Sequence, residues 1–114
     1  MPFIEAKTNT TLNKDTVEIL KSRLAEAIST SFPGKTENWL MIRFEDNCSM
    51  FFSGNNAPCM IVNIALFGHP SEDSYEKMTE AVCKLIETEC KIPTDRVYVK
   101  YEEVDHWGWN GSNF

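Results

Sequence analysis

The feature that most constrains the fold is a strand–helix–strand pattern that occurs twice along the chain. The strand-like segments are Phe3–Lys7, Trp39–Phe44, Cys59–Phe67 and Arg96–Tyr101, and the helical segments begin near Asn13 and Ser71. The numbers of residues from Pro2 to the first helix and to the second strand match those from Pro58 to the second helix and the last strand. This match indicates that 58–114 repeats the structure of 1–57. Right-handed crossovers place both helices on one face of a four-stranded mixed sheet. The sequence therefore predicts a single two-layer α/β (α+β) domain over 1–114, with short additional edge strands.

Each predicted helix carries one apolar stripe at helical spacing. The stripe residues are Val17, Leu20, Leu24, Ala27 and Ile28 in the first helix, and Tyr75, Met78, Val82, Leu85 and Ile86 in the second. Asp15 and Glu18 have the spacing of a capping box, and Pro33-Gly34 ends the first helix. The run Cys59–Phe67 is apolar almost throughout, which is typical of a strand buried on both faces. Met50–Phe52 is expected to form a further short strand.

The composition excludes several functional classes. With 114 residues, 42% of them hydrophobic and 25% charged, the chain can bury a core without metals or disulfides. Its formal net charge of −6 argues against a nucleic-acid partner. No apolar run reaches the length of a membrane span, and the N-terminus does not resemble a secretory signal. We therefore expect a protein that acts in the cytoplasm or is secreted without a signal peptide, with no membrane partner.

The four cysteines are expected to be reduced. Cys83 and Cys90 share a predicted helix and lie about 10.5 Å apart along its axis, which is too far for a disulfide. Neither Cys48 nor Cys59 belongs to a Cys-x-x-Cys motif, and the two histidines have no partner at metal-ligand spacing. Zinc binding and thiol redox chemistry are therefore not predicted, and no cofactor is expected.

Pro2 is the most informative residue for chemistry. Removal of the initiator methionine before a small second residue leaves proline with a free secondary amine. An N-terminal amine has a pKa of about 7.7–8.0, and apolar surroundings or a nearby cation lower that pKa because both disfavour the charged form. The neutral amine is then a general base near neutral pH, and its conjugate acid can return the proton. The alternative is that Pro2 only begins a strand at a sheet edge.

A set of short motifs is spread over the whole chain. They are Met1-Pro2, Thr8-Asn9, Gly34-Lys35, Phe52-Ser53-Gly54, Pro58-Cys59, Phe67-Gly68, Asp95-Arg96-Val97-Tyr98-Val99 and Gly108-Trp109-Asn110-Gly111-Ser112-Asn113-Phe114. Together they resemble the macrophage migration inhibitory factor and D-dopachrome tautomerase family of the tautomerase superfamily. The resemblance implies that family's α+β fold, a homotrimer, and a site that needs neither metal nor cofactor.

The resemblance also implies a role for each matching residue. Pro2 is the catalytic base once Met1 is removed, and Lys35 is the cation that binds a substrate carboxylate. The backbone N–H of Phe67 contacts the same carboxylate. Tyr98 and Lys100 belong to the pocket wall supplied by a neighbouring subunit. The aromatic mouth of the pocket comprises Trp107, Trp109 and Phe114.

Several positions depart from the family pattern. Lys100 stands where asparagine is usual, which predicts a more cationic pocket, and Trp39 stands where tyrosine is common. Val62 occupies the position at which some members complete a Cys-x-x-Cys motif, so thiol-reductase activity is not expected. No arginine between Thr8 and Asp15 corresponds to the receptor-mimicking loop of the cytokine, which weakens a cytokine role.

Two functions of different classes fit these observations. The first is a cofactor-independent keto–enol tautomerase that acts on a small aromatic α-keto acid such as phenylpyruvate. The alternative is a cytokine-like secreted protein that binds a cell-surface receptor, with the proline pocket incidental. The change Pro2→Gly separates the two, since only the first requires the proline amine. A decarboxylase or dehalogenase of the same superfamily would need further arginines in the pocket, for which Arg43 and Arg96 are the candidates.

Overall fold

A mixed four-stranded sheet is covered on one face by two helices in the computed structural model, which describes residues 1–114. The elements are β1 (Pro2–Thr8), α1 (Lys14–Ser31), β2 (Met41–Glu45), β3 (Met60–Phe67), α2 (Glu72–Cys90), β4 (Val97–Val104), β5 (Gly108–Trp109) and β6 (Ser112–Asn113). The strand order in the sheet is β2-β1-β3-β4, and β5 and β6 form a separate terminal hairpin. β1 pairs in parallel with β2, β3 pairs in parallel with β4, and β1 and β3 are antiparallel. The predicted two-layer α+β arrangement is confirmed.

Both helices begin at side-chain caps. Asn13 caps α1, because its Oδ1 accepts a hydrogen bond from the Thr16 N–H over 2.8 Å. Asp15 therefore lies inside the first turn, where its carboxylate interacts favourably with the helix dipole. The prediction of a capping box formed by Asp15 and Glu18 is wrong. Ser71 caps α2, whose C-terminal cap Lys91 adopts the left-handed conformation with φ of 58°. Neither helix combines the length and the apolar character that crossing a membrane requires.

The core lies between the helices and the sheet. The fully buried core residues of the helices are Leu20, Leu24, Ile28, Met78, Val82 and Ile86, and those of β1 and β3 are Ile4, Ala6, Met60, Val62, Ile64 and Leu66. The predicted apolar stripes thus face the sheet. Truncating a core side chain such as that of Ile64 to alanine removes packing on both layers and costs about 2–5 kcal/mol.

The strand β3 is covered on one face only, contrary to the expectation of burial on both. Its residues alternate between buried and half-buried from Met60 to Phe67. The helices cover only the face that bears Val62, while the other face carries Asn63 and charged neighbours from the adjacent strands. On that open face, Arg43 forms an ion pair with Glu5 at 2.8 Å. The open face is therefore partly polar despite the apolar composition of the strand.

Three expected strand segments differ from the structure. Met50–Phe52 forms no strand, because the chain turns at once and Phe52 makes only an isolated bridge to Asn55. Trp39 ends a short 3-10 turn before β2, and Arg96 ends another before β4. The Trp39 ring contacts that of Trp109, and the Arg96 guanidinium lies over the Phe52 ring, neighbours that strand alternation does not predict.

Candidate active site

The N-terminal segment meets the end of β3 at one end of the sheet. Pro2 begins β1, is buried and lies opposite Leu66 in the antiparallel register. The carbonyl oxygen of Met1 accepts a hydrogen bond from the Phe67 N–H over 3.1 Å. The structure therefore brings together Pro2 and Phe67, two of the residues expected to form the site.

Lys35 reaches the same place from the turn after α1. The turn is tight, with Gly34 at φ of 88° and the Lys35 N–H donating to the Phe32 carbonyl oxygen. Glycine suits this position because a left-handed φ is strained for other residues. The Lys35 Nζ donates a hydrogen bond to the Phe67 carbonyl oxygen over 3.1 Å. Thus Lys35 and the N-terminus approach Phe67 through its two backbone polar groups.

The terminal amino group of Met1 has an unusual environment. Its pKa lies below the ordinary value of 8.0, first because the amine is partly buried and then because of the positive charge and hydrogen bond of Lys35. Burial and a neighbouring cation both disfavour the ammonium form. This corner of the fold therefore favours a neutral amine at the N-terminus.

An apolar cleft of about 560 Å³ opens beside Met1 and Pro2. Lys35 and Phe67 do not line this cleft but face a separate, smaller pocket next to it in the chain's N-terminal corner. The walls of the larger cleft come from the N-terminus, from the segment before β2, from β3 and from the segment between β4 and β5. The lining residues are Met1, Pro2, Phe3, Asn38, Trp39, Leu40, Met41, Ala65, Val104, Trp107, Gly108 and Trp109. A cleft of this size and character suits a small molecule with an apolar body.

Aromatic rings cluster at the edge of this cleft. Trp39 meets the Trp109 ring at 4.8 Å and the Phe114 ring at 5.9 Å, both edge to face. Phe114 also approaches Phe67 at 5.9 Å, and the Phe114 N–H donates to the Trp107 carbonyl oxygen. The C-terminal segment thereby places Phe114 near Phe67, whereas Trp107 and Trp109 line the cleft. Trp39 also belongs to this aromatic cluster, although it was not among the expected site residues. The sequence feature that could have indicated it is that Trp39 stands where tyrosine is common in the family.

Tyr98 and Lys100 lie elsewhere in the same chain. Tyr98 pairs with Ile61 near the start of β3, whereas Pro2 pairs with Leu66 near its end. This separates Tyr98 from Pro2 by about 17 Å along the strands. Lys100 is exposed beside Asn63 on the open face of the sheet. Within one chain the structure does not bring either residue to the cleft.

His69, two residues after Phe67, is held between two carboxylates. Its Nδ1 lies 2.9 Å from Glu103 Oε1, and its Nε2 lies 3.0 Å from Asp105 Oδ1. The hydrogen bond and charge of Glu103, followed by the charge of Asp105, raise the pKa of His69. Glu103 also accepts a hydrogen bond from the Tyr75 hydroxyl over 2.7 Å. These contacts tie the loop after β3 to the end of β4.

The thiols form no disulfide, and each of the four cysteines is unpaired. Burial raises the pKa of the Cys48, Cys83 and Cys90 thiols, which favours the unreactive protonated form. No group of three or more His, Cys, Asp or Glu side chains is placed to hold a metal ion.

Comparison with known proteins gives matches along the whole chain. A family model described as macrophage migration inhibitory factor (MIF) matches residues 1–114. The crystal structure of Leishmania major MIF2 is similar, with a TM-score of 0.93 and 31% identity over 100% of this chain and 97% of that chain. A MIF homologue from Prochlorococcus marinus has a TM-score of 0.82 and 32% identity over 98% of both chains. The MIF homolog of Brugia malayi is 27% identical over 100% of this chain and 99% of its own length.

Proposed function

Because the chain belongs to the macrophage migration inhibitory factor family, we propose that it is a cofactor-independent keto–enol tautomerase of small aromatic α-keto acids such as phenylpyruvate. In this proposal the amine of Pro2, released by removal of Met1, is the general base and acid. Lys35 and the Phe67 N–H bind the substrate carboxylate. The aromatic rings around Trp39 and Trp109 enclose the apolar end of the substrate.

The observation that carries the proposal is the position of Met1. Its carbonyl oxygen accepts a hydrogen bond from the Phe67 N–H over 3.1 Å, and the charge and hydrogen bond of Lys35 help to lower the pKa of its amine. Removal of Met1 frees that N–H for another oxygen and leaves the cation beside it. A carboxylate is the group that an N–H donor and an ammonium together bind best. Such a ligand would place its adjacent carbons next to the new amine of Pro2.

The reaction then needs only one proton carrier. In the enol-to-keto direction, the neutral Pro2 nitrogen takes the hydroxyl proton as the oxygen lone pair re-forms the carbonyl group. The carbon–carbon double bond supplies the electron pair that accepts the proton from the protonated Pro2 nitrogen. The base is regenerated, and atoms and charge balance without a further reactant. Burial and Lys35 lower the pKa of the Met1 amine, and we expect the same two causes to favour the neutral form of a Pro2 amine one residue further along.

The proposal includes a homotrimer in which Tyr98 and Lys100 reach the cleft of a neighbouring subunit. Three features support association. The open face of the sheet is only partly polar, Phe51 is 72% exposed, and Tyr98 is 61% exposed. Large exposed apolar groups on a small protein are typical of interaction surfaces. The distance between Tyr98 and Pro2 within one chain means that Tyr98 can serve the site only from another subunit.

Two preparations of the protein test the proposed chemistry. One retains Met1 and the other begins at Pro2, with the difference established by intact mass. Enol–keto conversion of phenylpyruvate, followed by absorbance, should be fast only with the processed preparation. In the retained form the Pro2 nitrogen is an amide, which cannot take up a proton at ordinary pH.

Two variants sharpen the comparison. Pro2→Gly, once processed, keeps a primary amine and should retain reduced activity. Pro93→Ala changes an exposed proline outside the site and should behave like the parent. Equal rates for the preparations with and without Met1 would show that Pro2 is not the base.

A further inference from the structure

Arg96 has an unusual set of partners at the start of β4. Its guanidinium donates four hydrogen bonds to backbone carbonyl oxygens: Nε to Pro58 at 2.9 Å, one terminal nitrogen to Phe52 at 3.1 Å, and the other to Asn55 at 3.3 Å and Ala57 at 2.9 Å. A guanidinium has five N–H donors in a rigid plane. Most of its donors are therefore committed to the loop of residues 52–58, between β2 and β3.

The same loop connects Arg96 to Tyr98 through one aromatic ring. The Arg96 guanidinium carbon lies 5.2 Å from the centroid of the Phe52 ring. Phe52 in turn meets the Tyr98 ring at 4.9 Å with an interplanar angle of 64°. Tyr98 is 61% exposed, so the contact with Phe52 is a large part of what can fix its ring.

We infer that Arg96 is a positioning residue that holds the loop of residues 52–58 so that Phe52 fixes the ring of Tyr98. The inference rests on the proposed function, in which Tyr98 forms part of a neighbouring subunit's pocket. Arg96 itself does not lie at the cleft near Pro2. It acts through Phe52, and its effect falls on substrate binding instead of proton transfer.

The conformation of the loop of residues 52–58 explains why it needs the hydrogen bonds from Arg96, which together form a clamp on the loop. Ser53 and Gly54 both have positive φ, at 54° and 78°, and form a two-residue turn between Phe52 and Asn55. Such a turn alone is marginal in water. Asn9 holds the other side of the loop: its Nδ2 donates to the Asn56 and Ala57 carbonyl oxygens, each over 3.1 Å. Arg96 and Asn9 thus converge on the carbonyl oxygen of Ala57.

The variant Arg96→Lys tests the inference in the processed protein. Lysine keeps the positive charge, but a single ammonium cannot span four carbonyl oxygens. We expect KM for phenylpyruvate to rise by about ten-fold with kcat nearly unchanged, because a displaced wall residue weakens binding. The pH profile of kcat should keep its midpoint, and the nuclear Overhauser effect between the Phe52 and Tyr98 rings should weaken. Arg23→Lys, at an arginine on α1 that pairs with Glu26, is the matched control and should leave all four readouts unchanged.

Every other outcome of these experiments either supports or overturns the inference about Arg96. A folded Arg96→Lys protein with the parental KM and the parental Overhauser effect overturns the inference. If Arg96→Lys does not fold, Asn9→Ala releases the same loop from its other side, and an unchanged KM there overturns the inference. If the parent itself has no tautomerase activity, the proposed function fails separately. The Overhauser effect then decides the clamp: its loss in Arg96→Lys supports it, and its retention overturns it.

Discussion

The side chain of Lys35 is anchored on Phe67, with its Nζ donating to the Phe67 carbonyl oxygen over 3.1 Å. This contact joins the turn after α1 to the end of β3 and holds one cation beside the N-terminus. The N–H of the same Phe67 donates to the Met1 carbonyl oxygen. A lysine, a backbone N–H and the N-terminal residue are thus fixed relative to one another by two hydrogen bonds.

Replacing this lysine should mainly weaken substrate binding in the processed protein. Lys35→Met removes the charge that we propose binds the substrate carboxylate, an expected loss of about 1.5–3 kcal/mol, or roughly ten- to one-hundred-fold in KM. Lys84→Met, at a lysine on α2 away from the cleft, is the control. Steady-state kinetics with phenylpyruvate measure the effect. A Lys35→Met protein as active as the parent at low substrate would remove Lys35 from the site.

The same substitution should change the titration of the retained Met1 amine. Its pKa lies below 8.0 because of burial first and Lys35 second. Lys35→Met removes only the second cause, so the pKa should rise without reaching the ordinary value. Isotope-labelled Met1 followed by NMR over pH reports it directly. A pKa that does not move would mean that the lysine and the amine are not neighbours in solution.

The histidine between two carboxylates predicts a pH dependence of stability. The pKa of His69 is raised above 6.5, so its contribution is fully present below pH 6.5 and is lost as pH rises through the raised value. On the acid side the pKa of Glu103 is lowered, so that contribution is lost as pH falls through the lowered value. Thermal melts of the parent and of His69→Gln should therefore differ most between these two limits. His106→Gln, at the other histidine, should follow the parent; a His69→Gln curve parallel to the parent at every pH would contradict the prediction.

Association should depend on Phe51, an exposed aromatic residue in the loop between β2 and β3. Phe51→Lys places a charge on a side chain that is 72% exposed in one chain and is expected to be covered in the trimer. Sedimentation should show trimers for the parent and smaller species for this variant, together with loss of tautomerase activity. Ile19→Lys changes another exposed apolar residue, on α1, and should leave both unchanged. An active monomer would exclude Tyr98 and Lys100 from the site.

Trp39 should contribute to both stability and binding. Its indole meets the rings of Trp109 and Phe114, and each such aromatic pair is worth about 0.5–1.5 kcal/mol. Trp39→Leu should lower the melting temperature and raise KM for an aromatic substrate, whereas Trp39→Phe should retain part of both. Chemical denaturation and kinetics on the same samples check the two effects. An unchanged KM would place Trp39 outside the binding surface.

The helices could be predicted from the sequence because a helix that buries one side leaves a regular apolar spacing. Leu20, Leu24, Met78 and Val82 carry that spacing, and all are buried. The short apolar run Met50–Phe52 has no such constraint, since three apolar residues fit a strand and an exposed loop equally well. Which of the two forms depends on whether a partner strand lies alongside, and that is a property of the whole fold.

The site residues show the same division. Matching motifs could indicate Pro2, Lys35 and Phe67, and the fold brings all three to one end of the sheet. The sequence placed Trp39 in a strand, but a 3-10 turn there carries its indole into the aromatic cluster. The angle of such a turn depends on the packing around Trp109 and Phe114, which lie far along the chain. Local sequence motifs therefore indicate which residues have side chains or backbone groups suited to the chemistry. Tertiary contacts determine which of these residues lie close together.

In the chain that retains Met1, the carbonyl oxygen of this residue accepts from the Phe67 N–H, the donor that we propose binds the substrate carboxylate. If Met1 is removed, as proposed, this donor has no protein acceptor, at a cost of about 1 kcal/mol. Removal of Met1 should therefore lower the melting temperature and make the Phe67 N–H available to a ligand. The protein that begins at Pro2 should melt at a lower temperature than the protein that retains Met1. A small carboxylic acid should restore the lost stability of the processed protein by mass action. The protein that retains Met1 should show no such thermal shift, because its own first residue already fills that place.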